Sequence, residues 1–574
     1  MKRLTKVLSL ILAIAMLFTL AACSKTPATN DNNKPADTNT PSDTNTPADD
    51  NTQDDANTPD DSDEPADTEI PAFQLPIVDE PVTVKFWWPT VEEMLEDKGY
   101  DTSEPYLYFQ EMEKRTGVHV DIDVPDATAA QTQFGLVLAS EEYPDFMENF
   151  SRYYTAGMDH AVEEDLIVPL NDKKDIMPNF FAYINADDEI RKQCTTDAGY
   201  VPGVPFIKIS LKGEPEKNWC GMAARGEWLD ELGMEVPTTY DEMTTLLGAM
   251  KAKYSDTAPY PIKLLCMQGD FVNQFGNAFH GGYNFAADWM QIDGKVTHGI
   301  LTEGYKQFYE LIRSWIVAEY IDPDFLAARN LWLEPAESTS DEFGVFSISY
   351  TNTKMYLDVN ADRDYTLVGI PVLRVDENTP VHIGYTLDKA TDKSVIMADS
   401  EYVDILCKWW DYFFTDEGIL LGNYGVEGQT FEYNENGEPE WIPEAFTSDD
   451  PRWNNTHFQC AYLLFNTPGV VHFDRELTVQ DPMAVAIHDV WTQSYDTEYN
   501  YPAAAAMTVE EQERYTDIMT DINTFISEQK AKFLTGELSF ENGDWETFVD
   551  QVRGMGIEEA VELKQAAYDR YNKR

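Results

Sequence analysis

The chain has 574 residues, 43% of them hydrophobic and 25% charged, and a formal net charge of −62. A field of that sign repels phosphate backbones and anionic lipid headgroups, which argues against nucleic-acid binding and against a charge-driven role on a membrane surface. Net charge says nothing about the fold.

In chain order, Lys2, Arg3 and Lys6 precede sixteen mostly apolar residues, Val7 to Ala22, the charged and apolar regions of a secretory signal. Sixteen is short for a spanning helix. The sequence Leu20-Ala21-Ala22-Cys23 follows, and it resembles the lipobox of bacterial lipoproteins. That resemblance implies a signal over 1–22, cleavage before Cys23, and a diacylglyceryl group on Cys23. Two acyl chains suffice for stable membrane attachment. An uncut signal anchor or a plain secretory signal are the alternatives. Residues 23–76 are almost free of large apolar side chains and repeat Asp-Thr-Asn-Thr-Pro at Asp37 to Pro41 and Asp43 to Pro47. Such a segment cannot offset its ordering entropy and reads as a disordered, self-repelling acidic stalk.

Residues 77–574 form the folded body, too long for a single core, so two or more lobes are expected. The signal's three cations and the stalk's thirteen acids against two lysines leave about −54 on this body. Beyond Cys23 there are cysteines at 194, 220, 266, 407 and 460, with no Cys-x-x-Cys and no metal knuckle. They read as small buried residues, with one or two disulfides left open.

The body opens with alternating strands and helices. Val82 to Phe86 reads as a strand, and a helix from about Glu104 places Tyr108, Phe109 and Met112 on one side and stops at Gly117. Val118 to Val124 is the second strand, Phe134, Val137 and Leu138 mark the second helix, and Asp145 to Asn149 is the third strand. This pattern predicts a largely parallel sheet covered by helices. Thr239 to Glu242 fits a capping box that leads into a stripe of Met243, Leu246, Leu247 and Met250. Further stripes are Tyr305, Phe308, Ile312, Trp315 and Val403, Leu406, Trp410, with strand-like Gly344 to Tyr350 and Leu367 to Leu373 between them. The last sixty residues read as helical, from a second capping box at Thr508 to Glu511 through Tyr515, Ile518, Ile522 and Phe525 to Trp545, Phe548 and Val552. A βα pattern resuming so late predicts that the first lobe is completed by chain returning from the second.

The order of these signals resembles the extracellular solute-binding proteins of ABC importers (family 1 type), in particular the large sugar-binding lipoproteins of Gram-positive bacteria. The residues that carry it include Val82 to Pro89, Tyr143 to Glu148, Leu166 to Asn171, Arg225 to Thr239, Tyr320 to Phe325, Gly344 to Tyr350, Tyr424 to Gly428, Phe533 to Glu537 and Ala567 to Tyr571. The resemblance implies an α/β, two-lobed periplasmic-binding-protein-like fold of type II, with a hinge of two or three crossings and a helical C-terminal segment. By position, lobe 1 covers about 78–206 and 369–435, and lobe 2 about 207–368 and 436–574. It also implies membrane permease subunits as partners, a monomeric receptor held at the outer face by its lipid anchor, and no cofactor.

In open α/β folds ligands bind beyond the carboxyl ends of the strands. That rule selects Trp87 and Trp88 after the first strand and Asn149, Phe150, Arg152, Tyr153 and Tyr154 after the third. In lobe 2 it selects Lys208, Asp270, Asn273, Tyr350 and Asn352, with Tyr424 and Glu427 near the second crossing. Aromatic faces stack on the C–H face of a sugar, and amide, acid and guanidinium groups pair with its hydroxyls, so a carbohydrate, an oligosaccharide, is the expected ligand. A peptide or polyol receptor and a sensory or adhesive lipoprotein are the alternatives. A secreted glycosidase would need two placed carboxylates, which 103 acids make uninformative, and no hydrolase, metalloprotease, Walker or dinucleotide motif is present. No catalytic residue is expected, and the eight histidines show no metal-ligand spacing, so the sequence names no metal ligand and leaves open whether a metal assists.

Overall fold

A computed structural model describes residues 70–89, 107–125, 129–217, 219–263, 279–327, 333, 335–383, 388–442, 468–493 and 495–574. The expected signal, Cys23 and nearly all of the stalk lie outside them, as do Asp270, Asn273, Cys266 and Cys460. Among the described residues no helix is long and apolar enough to cross a membrane.

The strands, in chain order, are β1 (Val82–Trp87), β2 (Val118–Asp123), β3 (Phe146–Met147), β4 (Val204–Ile209), β5 (Cys220–Arg225), β6 (Ile262–Lys263) and β7 (Trp289–Ile292). They continue with β8 (Lys295–His298), β9 (Val345–Ser349), β10 (Leu367–Ile370), β11 (Ala390–Ile396), β12 (Phe431–Tyr433), β13 (Pro439–Trp441) and β14 (Gly469–His472). Two main sheets result, ordered β14-β4-β11-β3-β1-β2 and β10-β5-β9-β6, with β7–β8 and β12–β13 as separate hairpins.

In the first sheet only β11 runs against the others. β1 and β2 pair in parallel with Val84 opposite Val120, which requires a crossover, supplied by the helix Leu107–Thr116. That helix buries Tyr108, Phe109 and Met112 against Val84, Phe86 and Val118. It ends where expected, because Gly117 takes φ +79 and its N–H donates to the Glu113 carbonyl at 2.8 Å. The third strand is shorter than the pattern suggests. Only Phe146 and Met147 pair with β1, since Asn149 turns to φ +55 and starts the helix Phe150–Tyr153.

The second sheet is mixed, with β5 antiparallel to β9 and β10, and β6 parallel to β9. The predicted stripes cover one of its faces. In the helix Tyr240–Tyr254 the Thr239–Glu242 capping box forms in both directions, and Met243, Leu246, Leu247 and Met250 are buried. Tyr305, Phe308, Ile312 and Trp315 of the helix Glu303–Val317 join them, together with the C-terminal helices Val509–Thr535, Asp544–Gly554 and Ile557–Tyr571.

The chain passes between the sheets three times, from β4 to β5, from β10 to β11, and from β14 to the helix Pro482–Trp491, whose Trp491 Nε1 donates to the Met222 carbonyl at 2.8 Å. β14 pairs with β4, so the first sheet takes its edge strand from a stretch that the sequence pattern grouped with lobe 2. A four-residue apolar run carries no periodicity that would assign it to either sheet. Cys194 and Cys407 are buried free thiols, and burial pushes both up to about 12; Cys220 is buried as well.

Trp315 is fully buried, and its Nε1 donates to Thr244 Oγ1 at 2.9 Å. Trp315→Ala removes a large buried ring, so urea unfolding is expected to show a loss of about 3–5 kcal/mol. A loss below about 1 kcal/mol would mean that the helix Glu303–Val317 does not pack as described.

Candidate functional site

The parallel strands of the first sheet deliver their carboxyl ends to one edge, where the chain continues into Trp88, Glu148–Asn149, Ser210 and Phe473–Glu476. Alternation along β1 splits the two indoles between faces. Trp88 stacks on Phe86 with centroids 5.5 Å apart, whereas Trp87 meets Tyr153 edge-on at 5.5 Å. Both rings are 2% exposed, so neither presents a face to solvent. Asn149 is buried as well, while Tyr153 is half-buried and Arg152 exposed.

The carboxyl end of β9 comes from the other sheet and meets this edge through Tyr350, whose hydroxyl donates to Glu476 Oε2 at 2.8 Å. Lys208 of β4 lies 2.9 Å from Glu216 and 3.9 Å from Glu476, and the His488 ring stands edge-on to Tyr350 at 5.0 Å. Arg475 completes the cluster by donating to the carbonyl of Gly422 at 2.7 Å and to Asn423 Oδ1 at 3.3 Å. Burial would pull the Lys208 ammonium down, but the carboxylates of Glu476 and Glu216 outweigh it and hold it above its ordinary value. Burial raises the Glu216 carboxyl against the pull of Lys208, and lowers Arg475 to about 10. Two cations thus face two carboxylates at two of the three crossings. Tyr350 and Lys208, both sequence candidates for ligand contact, are committed here to the junction between the sheets.

The remaining candidates are dispersed. Asn352 is half-buried and its N–H donates to Ser349 Oγ at 3.2 Å. Tyr424 is half-buried with its ring 5.0 Å from Trp441 of β13, and Glu427 is exposed.

A groove holding about 390 Å³ opens between the helix Met158–Glu163 with residues 195–197 on one wall, and residues 504–510 with the end of the helix Ile557–Tyr571 on the other. Asp159, His160, Lys393 and Thr508 offer polar groups to it, beside Met158 and Met507. Ion pairs close one side, with Arg570 2.9 Å and Arg574 2.7 Å from Asp197, and Arg570 also held by Glu511. None of the described sequence candidates lines this groove. Two sequence signals touched it unrecognised: Arg570 lies in the Ala567 to Tyr571 motif, and Glu511 is the capping-box acid, whose Oε2 accepts from both the Thr508 N–H and Arg570. Behind the groove Asp388, which is 7% exposed, accepts the Ala504 N–H at 2.9 Å, and burial raises its carboxyl to about 6.

No family model matches the chain. The fructooligosaccharide ABC transporter substrate-binding protein FusA of Streptococcus pneumoniae serotype 4 is 24% identical over 491 residues, 81% of this chain and 87% of that protein. Among solved structures, an HMO-binding, ABC-transporter-associated solute-binding protein from Bifidobacterium longum infantis aligns with TM-score 0.67 at 16% identity, over 87% of this chain and all of that one. The alginate-binding protein AlgQ2 without calcium ion aligns with TM-score 0.63 at 21% identity, over 86% and 99%. The chain therefore has the two-lobed α/β fold of the solute-binding proteins of ABC importers, as the order of sequence signals implied.

Glu476→Ala removes one of the two carboxylates that face Lys208 and Tyr350, leaving Glu216 in place, and is expected to cost about 1–3 kcal/mol in urea unfolding. A neutral result would take the cluster out of the stability of the junction. For Asp388 the folded carboxyl keeps its proton up to about pH 6, against about 4 in the unfolded chain. Its contribution to stability is therefore complete below pH 4 and lost as pH rises through 6. Asp388→Asn should gain on the wild type by up to about 3 kcal/mol between pH 4 and 7.5. Parallel stability curves for the two proteins would refute that assignment.

Proposed function

We propose that this chain is the extracellular substrate-binding subunit of an ABC importer, which captures an oligosaccharide between two lobes and delivers it to permease subunits in the membrane. The observation that carries the proposal is the end-to-end match to a fructooligosaccharide-binding relative, made over 81% of this chain and 87% of the other. In this reading the lobes are the bodies built on the two sheets. One takes about 78–209 and 390–473, the other about 220–370 and 482–574, with the three crossings as the hinge. The receptor works as a monomer anchored through Cys23, with its acidic stalk lifting the lobes off the membrane.

The candidate side chains suit capture of a sugar. Tyr153, Arg152, Asn352, Tyr424 and Glu427 offer aromatic faces and planar polar groups near the carboxyl ends, and the groove adds Asp159, Lys393 and Thr508. A ligand touching both lobes stabilises the arrangement in which both sets of contacts are made, and the permease reads that arrangement. The body's charge of about −54 opposes polyanionic ligands. Neutral oligosaccharides are therefore favoured over uronate chains.

The test is thermal and chemical unfolding of the mature protein across neutral oligosaccharides, uronate oligosaccharides, peptides and polyols. At a hundred times its dissociation constant, a ligand specific for the native state stabilises by about 2.7 kcal/mol. Stabilisation by neutral oligosaccharides, with compaction in small-angle scattering, is the expected result. Stabilisation by peptides alone would overturn the ligand class, and no compaction at saturation would overturn lobe closure.

A further inference from the structure

We propose that His382, Asp496 and Glu498 form a binding site for a divalent first-row transition ion of the zinc type. His382 lies in the crossing from β10 to β11, and the two acids lie in the segment between the helix Pro482–Trp491 and the helix Val509–Thr535. More than a hundred residues separate them, so no spacing in the sequence announces the site. An isolated parallel bridge brings them together: the Ile383 N–H donates to the Asp496 carbonyl at 2.8 Å, and the Asp496 N–H donates to the Val381 carbonyl at 3.1 Å.

The geometry suits an ion. Nδ1 of His382 lies 2.9 and 3.0 Å from the two Asp496 oxygens and 3.8 Å from Glu498 Oε2. The three ligand atoms all fall within 4.8 Å of one another. Zinc binds imidazole nitrogen and carboxylate oxygen at about 2.0–2.2 Å, so two ligands at a right angle around it stand about 3 Å apart and wider angles reach about 4 Å. The two spacings from the imidazole nitrogen, 2.9 Å to Asp496 and 3.8 Å to Glu498, span that range. Contacts outside the triad hold the His382 ring and the backbone of His382 and Glu498 beforehand, while the Glu498 side chain stays exposed. The His382 N–H donates to Asn284 Oδ1 at 2.7 Å, its ring packs 4.7 Å from Tyr499, and Gln291 Nε2 donates to the Glu498 carbonyl. Ligands held by a supporting shell lose less entropy on binding.

Charge points the same way. Among the described residues neither Asp496 nor Glu498 has a Lys or Arg at ion-pair distance, and their one cationic partner is this imidazole. A proton on the ring neutralises one carboxylate, whereas a divalent ion neutralises both. The other described histidine–carboxylate pairs, His119 with Glu113 at 2.9 Å and His298 with Asp288 at 3.9 Å, each offer a single acid. The donor set selects the metal class, because calcium and magnesium take oxygen ligands while imidazole suits zinc and its neighbours. Bound there, the ion would staple the crossing that carries Asp388 to the segment that continues to Ala504 and the groove wall.

The experiment is calorimetric titration of Zn²⁺ into the mature protein, purified without a histidine tag, at pH 7.5 and pH 5.5. One saturable equivalent is expected, weaker at pH 5.5 because the imidazole must be neutral to ligate. His382→Ala and Asp496→Asn should each weaken it by at least about tenfold, since even the loss of a second-shell group costs that much at metal sites. Glu498→Gln should weaken it less, and His119→Ala should leave it unchanged. Co²⁺ should give an absorption spectrum without a thiolate charge-transfer band, and excess Ca²⁺ should not displace Zn²⁺. Unchanged affinity in both His382→Ala and Asp496→Asn, a thiolate band that persists in those variants, or no saturable binding would each overturn the proposal. Should one variant fail to fold, the other and Glu498→Gln decide it.

Discussion

Two sheets are held together by a chain that passes between them three times, and the ionic cluster of Lys208, Glu216, Arg475 and Glu476 sits on two of those passages. Charges placed there lose most of their hydration, a loss that only close pairing offsets. That constraint explains why Tyr350 gives its hydroxyl to Glu476 and why Asn423 ties Arg475 to the Val470 carbonyl. It also fixes where the lobes can move. A junction satisfied by specific pairs allows small rotations about the crossings far more readily than sliding, which would break the pairs. Hinge closure is the motion such a junction permits.

The bodies on either side are rigid for a different reason. The first sheet is clamped by aromatic contacts such as Phe86 on Phe146 at 4.2 Å and Trp410 against Phe146 at 5.9 Å. The second is packed so closely against the helix Pro482–Trp491 that a Cβ on Gly221 would come 2.6 Å from the Trp491 ring. Well-packed cores transmit displacement instead of absorbing it. A ligand that touches both bodies therefore changes their mutual arrangement, and not the shape of either.

The contacts across the groove are of a weaker kind. Arg570 reaches Asp197 and Glu511 from a partly exposed position, where an ion pair contributes about 0–1 kcal/mol, while the Arg574 side chain, 5% exposed, meets Asp197 in a more buried setting. The Arg570 pairs are the ones that solvent screens.

The sequence by itself determined the elements whose periodicity is long and one-sided. The stripes of the helices Tyr240–Tyr254 and Glu303–Val317, both capping boxes and the stop at Gly117 stand as read, because each is written within about fifteen consecutive residues, and the first β-α-β unit stands because each of its elements is local. The charged start and the order of motifs across the chain likewise pointed to the solute-binding fold. Tertiary structure alone decided the rest. Alternation showed that Trp87 and Trp88 face opposite ways, but only packing on both faces of the sheet buried the two rings. Nothing local assigned Gly469–His472 to the first sheet, since a four-residue run has no period to read. Asp197 with Arg570, Tyr350 with Glu476, and His382 with Asp496 join residues that lie from 114 to more than 370 positions apart. Local patterning selects which face of a helix or strand is apolar, whereas the meeting of distant polar groups depends on how the crossings bring two finished sheets together.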